Sequence, residues 1–466
     1  MKTKLILSCL LASAVTVSAS NQPNIVVILT DDQGYADISY NVHHPKEVST
    51  PHMDALAKEG VFFSQAYISG NVCSPTRAGL MLGQYQQRVG VYDAGTGGSG
   101  FNPTIPIFPA LLPDSYYAGA FGKWHLGLDE DYPELKWHPL SRGFDSFYGF
   151  MGRGAHDYFD LHSDSTGKFM HPVYRNKERI DDEGYLTTRL SEEAVKFIDQ
   201  RHEDPFFLYL AYNAVHAPAQ APEADIKKYR AKYPHLTEKR AILMAMLEHL
   251  DSGIGDVVSA LKKTNTFDDT LLFLFTDNGG AGAMEANNAP LRGMKQEVYE
   301  GGHRTPFIAS WPDRFQGGRV IDTPIISLDV LPTVLDALGR LRPDNAFDGK
   351  SLLPLIEGET KTHHANLFWS EGGSTGEWAV RSGDFKLLAF KQKRELYNLA
   401  DDLAESKNLI DAHPAKAREI ERLYDEWLDQ MAAPASGDPK RFGAESANSR
   451  ARAERRAQRK GAGANR

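Results

Sequence analysis

Three unbroken apolar runs in this 466-residue chain lead into side chains able to hold a cation or move a proton. Asn24-Ile-Val-Val-Ile-Leu29 runs into Thr30-Asp31-Asp32, and Leu271-Leu-Phe-Leu-Phe275 into Thr276-Asp277-Asn278. Phe206-Phe-Leu-Tyr-Leu-Ala211 leads to His216. Short apolar runs without alternation read as strands buried on both faces, and in parallel α/β sheets ligands gather beyond the carboxyl ends of such strands. Three carboxylates and an amide on one rim repel one another unless a cation sits among them, and an all-oxygen donor set suits Ca²⁺ or Mg²⁺. Asp-Asp and Asp-Asn-Gly-Gly are each ordinary turn formers. Their shared position at strand ends is what points to a metal.

Cys73 stands in Asn71-Val-Cys-Ser-Pro-Thr-Arg-Ala-Gly79. Pro75 suits the first turn of a helix, where its missing N–H is not needed. Cys73 then lies at or just before a helix N-terminus, whose dipole favours negative charge on a nucleophile and on a bound anion. Arg77, one turn further in, is within reach of the same group. The only other cysteine is Cys9, inside the N-terminal apolar run, so Cys73 has no intramolecular disulfide partner in an exported chain.

Cys73-Ser-Pro-Thr-Arg77 resembles the Cys-x-Pro-Ser/Thr-Arg signature of type I sulfatases, in which the cysteine is oxidised to a catalytic formylglycine. Companion motifs follow in the family's order over nearly the whole mature chain. Asp31-Asp32 and Asp277-Asn278 are similar to its calcium ligands, with the modified Cys73 also facing the ion. Gly122-Lys123-Trp124-His125-Leu126-Gly127 resembles its Lys-x-His segment, and Ala214-Val-His216-Ala-Pro218 its strand-end histidine. Asn288-Ala-Pro-Leu-Arg-Gly-Met-Lys295, with Tyr299-Glu-Gly-Gly302 after it, resembles the segment carrying the substrate lysine, and Glu395-Leu-Tyr-Asn-Leu399 the C-terminal domain.

The resemblance implies roles for these residues. Arg77 holds the formylglycine, and Lys123 and Lys295 bind sulfate oxygens. His216 protonates the leaving oxygen, and His125 is the base for sulfate elimination. It also implies one calcium ion and a partner that makes the formylglycine, a formylglycine-generating or sulfatase-maturating enzyme. A hydrated aldehyde suits this chemistry because one hydroxyl attacks sulfur and the second, once deprotonated, reforms the carbonyl and expels sulfate. A histidine near neutrality suits either proton transfer. The chain departs from the pattern at Met294, where glycine is common, and at His303, where an aliphatic residue is expected. His156 and Asp157, in Gly154-Ala-His-Asp-Tyr-Phe159, fall in a loop that borders the family's pocket. With His303 they are candidates for sugar contacts.

The elements that must position these groups are strands alternating with helices. Leu190, Ala194, Phe197 and Ile198 keep one helical face, as do Ile242, Met246, Leu250, Ile254, Val257 and Leu261. The expected fold is α/β: a large mixed, mostly parallel sheet sandwiched by helices, of the alkaline-phosphatase and sulfatase type, with a small C-terminal α+β domain. Residues 1–19 read as a signal peptide, from Lys2 and Lys4, the apolar run Leu5 to Val17 and the small residues Val17-Ser-Ala19. The catalytic domain is expected over 20–360 and the small domain over 361–435. There a hairpin at Ala379 to Phe390 precedes an amphipathic helix carrying Ile420, Tyr424 and Trp427. Residues 436–466, rich in Gly, Ala and Arg, are expected to form a disordered basic tail.

Composition narrows the function further. At 41% hydrophobic and 24% charged the chain is an ordinary globular protein. Its 52 basic and 61 acidic residues leave −9. Without Lys2, Lys4 and the +6 stretch from Ser449 onward, the body carries −17. That argues against nucleic acid as a partner, and no run reaches the roughly 20 apolar residues of a membrane span. An exported, periplasmic or secreted sulfatase acting on a sulfated carbohydrate is the expected function. The alternatives are a phosphodiester or phosphonate monoester hydrolase of the same superfamily, or an unmodified carbohydrate-binding pseudoenzyme.

Overall fold

A computed structural model describes residues 22–127, 135–152, 154–162, 171–344, 346–371 and 376–435. The expected signal peptide over 1–19, the expected basic tail over 436–466 and most of the polar insertion from Asp129 to Trp137 lie outside the described residues. The first strands are Asn24–Thr30 (β1), Val61–Phe63 (β2), Ala66–Tyr67 (β3), Tyr117–Lys123 (β4), Ser146–Phe150 (β5), Val173–Arg175 (β6), Glu178–Ile180 (β7) and Phe206–Ala211 (β8). Thr270–Thr276 (β9), Phe307–Ser310 (β10), Arg319–Ile321 (β11), Ile325–Ile326 (β12), Asn366–Ser370 (β13), Trp378–Ser382 (β14), Phe385–Phe390 (β15) and Lys393–Asn398 (β16) follow. The helices are Pro51–Glu59 (α1), Cys73–Leu82 (α2), Ala94–Gly98 (α3), Leu186–Arg201 (α4), Glu223–Lys232 (α5), Glu238–Lys263 (α6), Glu300–His303 (α7), Val330–Ala337 (α8), Leu353–Ile356 (α9) and Pro414–Leu428 (α10).

Ten strands form one sheet in the order β11-β2-β10-β9-β1-β8-β4-β5-β6-β7. The five at its centre, β9 to β5, are parallel. Antiparallel pairings at both flanks, β9 with β10 and β5 with β6, make the sheet mixed. The central runs are apolar throughout because both faces are covered. Val26, Ile28, Leu208, Leu210, Leu272 and Leu274 pack in one core with α4 and α6. Ile25, Val27, Leu29, Phe207, Tyr209, Leu271 and Phe273 pack in the other with α2, α8 and α9. Each such side chain withdrawn from water contributes about 1.5–3 kcal/mol. The stripe Met246, Leu250, Ile254, Val257 and Leu261 is buried on α6, whose N-cap Thr237 accepts the Arg240 amide at 3.0 Å.

The C-terminal part is a four-stranded antiparallel sheet, β13-β14-β15-β16, covered by α10 through Ala417, Ile420, Tyr424 and Trp427. Its core also takes in Tyr67, Val298 and Tyr299 from the preceding chain. The link into it is tied down by Asp329 at the start of α8, which lies 3.2 Å from His363 Nε2 and 2.8 Å from His364 Nε2. The sequence shows no context for these two histidines because their partner sits on another element. Among the described residues, no helix is long and apolar enough to cross a membrane.

Candidate active site

The carboxyl ends of β1, β9, β8 and β4 bring the chemistry-bearing residues together. In β1 and β9, paired in register from Asn24 with Thr270 to Thr30 with Thr276, the next residues are Asp31 and Asp277. Cys73 is the first residue of α2, which points its N-terminus at this rim. The ligand atoms of Asp31, Cys73 and Asp277 lie within 4.8 Å of one another. Asp32 and His125 hold backbone φ of 61° and 55°, a left-handed conformation that non-glycine residues adopt at a cost. Both aim polar side chains inward rather than along the strand.

Arg77 is fully buried beneath the rim. Its Nε and Nη2 donate to Asp277 Oδ2 at 2.9 and 2.7 Å, and Nη1 donates to the Lys123 carbonyl at 2.8 Å. Lys123 Nζ donates to Asp31 Oδ2. Asp32 Oδ1 accepts from Lys295 Nζ at 2.5 Å and from Asn278 Nδ2 at 2.7 Å, with His216 Nε2 3.6 Å from its Oδ2. Three cations thus face three carboxylates. Burial and the neighbouring Asp277 still push the Asp31 carboxyl up to about 8, against the pull of Lys123. Despite burial, Lys295 and His216 hold Asp32 well below the usual carboxylate range.

Three oxygens of this cluster, Asp31 Oδ1, Asp277 Oδ1 and Asn278 Oδ1, are buried without a hydrogen-bond partner. Buried polar atoms without partners are costly and rare in a native fold. Hard oxygen donors left unpaired side by side fit a divalent cation of the calcium type. Burial also raises the Cys73 thiol above its ordinary range, with Lys123 and Lys295 opposing. An unmodified cysteine here is a thiol and a weak nucleophile.

The two histidines flank the cluster. His125 is buried, its Nδ1 has no hydrogen-bond partner, and burial with Lys123 and Arg77 keeps it neutral. Its carbonyl accepts from Ser74 Oγ at 2.8 Å, which ties it to α2. His216 shares Nδ1 with the Ala217 carbonyl at 2.7 Å and presents Nε2 to Asp32. Burial and the two lysines bring it down to about 4, against Asp32.

Close backbone approaches explain the glycines of the motifs. A Cβ on Gly279 would sit 1.8 Å from the Gly301 carbonyl oxygen, and one on Gly302 1.8 Å from that of Glu297. Asp277-Asn-Gly-Gly280 and Tyr299-Glu-Gly-Gly302 therefore meet backbone to backbone, joined by Gly279 N–H to Gly302 O at 3.0 Å. This contact brings the Lys295 segment over the carboxylates. The sequence did not single out Gly98 and Gly154, which lie against the His125 ring; a Cβ on them would come within 3.2 and 3.4 Å of it.

Two expected sugar contacts are corrected. His156 is fully buried, with Nδ1 2.6 Å from the Asp157 carbonyl and Nε2 2.7 Å from that of His171. His303 is also fully buried, stacked on Trp369 with ring centroids 4.0 Å apart, and it shares Nε2 with the Val298 carbonyl. Both fill packed interiors and present no surface to a sugar. Asp157 remains part-exposed, receives Gln220 Nε2 at 2.7 Å, and belongs to a loop that packs on the His216 segment through Tyr158.

Positive charge around a tetrahedral oxyanion is the first need of an anionic-ester hydrolase, and the strand ends supply it. The profile of the sulfatase family matches residues 23–340, and that of the N-sulphoglucosamine sulphohydrolase C-terminal region matches 294–433. The chain is 30% identical to the N-acetylgalactosamine-6-sulfatase of Mus musculus, over 87% of this chain and 79% of that protein. It is 28% identical to the uncharacterized sulfatase YdeN of Escherichia coli, covering 90% of this chain and 88% of that one. Among solved structures, Ps i-CgsB in complex with k-i-k-neocarrahexaose superposes with a TM-score of 0.81 at 33% identity, covering 89% of this chain and 94% of that chain. The chain belongs to the sulfatase family and is a sulfuric ester hydrolase.

Proposed function

We propose that this protein is exported and removes sulfate esters from a carbohydrate, through a formylglycine made from Cys73 and a calcium ion. The observation that carries the reading is the set of unpaired buried oxygens of Asp31, Asp277 and Asn278 beside Cys73. Asp31, Asp32, Asp277 and Asn278 are the residues that would hold calcium, with the modified side chain of residue 73. A carbohydrate substrate is supported by the relatives, one named for N-acetylgalactosamine-6-sulfate chemistry and one solved with a neocarrahexaose.

Calcium, when bound, supplies fixed positive charge at the sulfate end of the pocket. Hydrated formylglycine supplies two hydroxyls on one carbon, one to attack sulfur and one whose deprotonation releases sulfate. The chain's own residues do the rest. Arg77, locked on Asp277, holds the start of α2 against the carboxylates. Lys123 and Lys295 are the cations for sulfate oxygens, which local charge must supply because the body of the chain is acidic. His125, neutral and with Nδ1 unshared, is the acceptor of the hydroxyl proton. His216 keeps its Nδ1 proton on the Ala217 carbonyl, so it becomes the donor to the leaving alcohol when Nε2 is protonated as well, the form that Asp32 beside it favours.

The test is sulfate release from a panel of sulfated oligosaccharides, comparing the wild-type chain with Cys73→Ala. Release by the wild type and none by the variant, with both folded, is the expected result. Equal release by both refutes the mechanism. Binding of the sugars with no release, after conversion of Cys73 has been confirmed, establishes the binding-only alternative.

A further inference from the structure

The segment carrying Lys295 is held from two sides. On the sheet side its backbone donates from Lys295 to Gly280 O at 3.2 Å and from Gln296 to Asn71 O at 2.9 Å. The other side is held by the C-terminal sheet. Arg292, three residues before Lys295, donates to the Tyr397 hydroxyl at 2.9 Å, the Glu405 carbonyl at 2.8 Å and the Tyr299 hydroxyl at 3.0 Å. Tyr299 and Tyr397 both donate to Glu395 Oε2 at 2.8 Å. The Glu300 amide donates to Glu405 Oε2 at 2.7 Å, and Lys386 bridges the Glu300 and Glu405 carboxylates at 2.9 Å each. Lys386, Glu300 and Glu405 have no solvent exposure, and Val298 and Tyr299 are built into the C-terminal core.

These contacts bracket Lys295 at positions 292 and 298–300. They leave its ammonium free to face Asp32 while the backbone that carries it is fixed from the C-terminal side. We propose that the C-terminal sheet is a clamp that sets sulfate affinity, with Arg292 and Glu405 as positioning residues that act through Lys295. The proposal rests on the reading of Lys295 as a sulfate-binding cation. A lysine on a segment anchored only at its sheet side samples more positions, so anchoring lowers the cost of ordering it around the anion. Lys295 meets sulfate in substrate, transition state and product, so loosening it acts on binding more than on turnover.

Arg292 suits the test because its side chain is 41% exposed, and Glu395, the carboxylate 3.6 Å from it, keeps the Tyr299 and Tyr397 hydroxyls as donors when it is replaced. Full-length Arg292→Gln is assayed with 4-nitrophenyl sulfate as substrate and inorganic sulfate as competing product. Expected are rises of about tenfold, the scale of one lost charge-assisted contact, in both KM and the inhibition constant of sulfate, with kcat within about twofold. Arg292→Lys recovers part of the loss. In a Lys295→Ala background, Arg292→Gln has no further effect on either constant. Glu405→Gln, which keeps an acceptor for the Glu300 amide, is the second probe and shifts the same two constants.

Losses that multiply in the Lys295→Ala background, or a fall in kcat at constant KM, overturn the clamp. If Lys295→Ala weakens sulfate binding and Arg292→Gln does not, the clamp fails while the role of Lys295 stands. If Lys295→Ala leaves sulfate binding unchanged, the assignment of Lys295 fails and the clamp falls with it.

Discussion

Replacing Arg77 by methionine keeps most of the side-chain volume and removes the guanidinium that holds Asp277 through two hydrogen bonds and lies 3.4 Å from Asp31. All three side chains are fully buried, so the carboxylates cannot turn to water. Removing one partner of a buried ion pair costs about 3–5 kcal/mol. The chain can limit that cost by taking up one proton in place of the lost guanidinium. Protonating an ordinary aspartate costs about 4 kcal/mol at pH 7 and about 1.5 kcal/mol at pH 5. Arg77→Met should therefore lose about 3–4 kcal/mol at pH 7 in the presence of a chelator, and less than half of that at pH 5. Added calcium should recover part of the pH 7 loss, because a divalent cation among the same carboxylates replaces the missing charge. Urea unfolding of wild type and variant, at both pH values with EGTA and with calcium, measures all four cases. A loss independent of both pH and calcium would show that Arg77 acts by packing alone, and would refute the electrostatic account of the cluster.

Three further outcomes are expected. EGTA should abolish turnover and calcium restore it, while Asp277→Ala should show no recovery at the same calcium concentration; full activity in EGTA contradicts the ion site. Gly98→Ala places a methyl group 3.2 Å from His125 Nε2 and should lower kcat about tenfold with calcium affinity unchanged, and an unaltered kcat argues against His125 as the base. Burial lifts the Asp251 carboxyl to about 6, while the His52 and Met53 amides at the start of α1 pull it down. The folded chain therefore keeps a proton that the unfolded chain sheds near pH 4, and this stabilisation is lost as the pH rises through 6. Asp251→Asn should gain stability relative to wild type between pH 4 and 6 and stay level above; parallel unfolding curves contradict this.

What was legible in the sequence shares one physical cause. Asp31, Asp32, Asp277 and His216 follow apolar strands, and a parallel sheet gathers such strand ends on one rim. Pro75 and Arg77 marked the start of a helix that the fold begins at Cys73. The flanking strands were not legible because β2, β6, β7 and β11 have three residues each, too few to show a period. His156 and His303 were misassigned because a polar residue beside a motif gives no sign of whether its ring points outward or stacks inward, as His303 does on Trp369. The Arg292 and Glu405 contacts were invisible for another reason. They join residues 105 and 113 positions apart, and nothing local in either segment encodes the partner.

The central claim is that Cys73 is converted to the group that performs the reaction. The most direct measurement is the mass of the Cys73-containing peptide from protein that releases sulfate, purified from its native host. The account predicts a peptide about 18 Da lighter than the cysteine form, in proportion to activity. Unmodified cysteine throughout a preparation that still hydrolyses sulfate esters would contradict it.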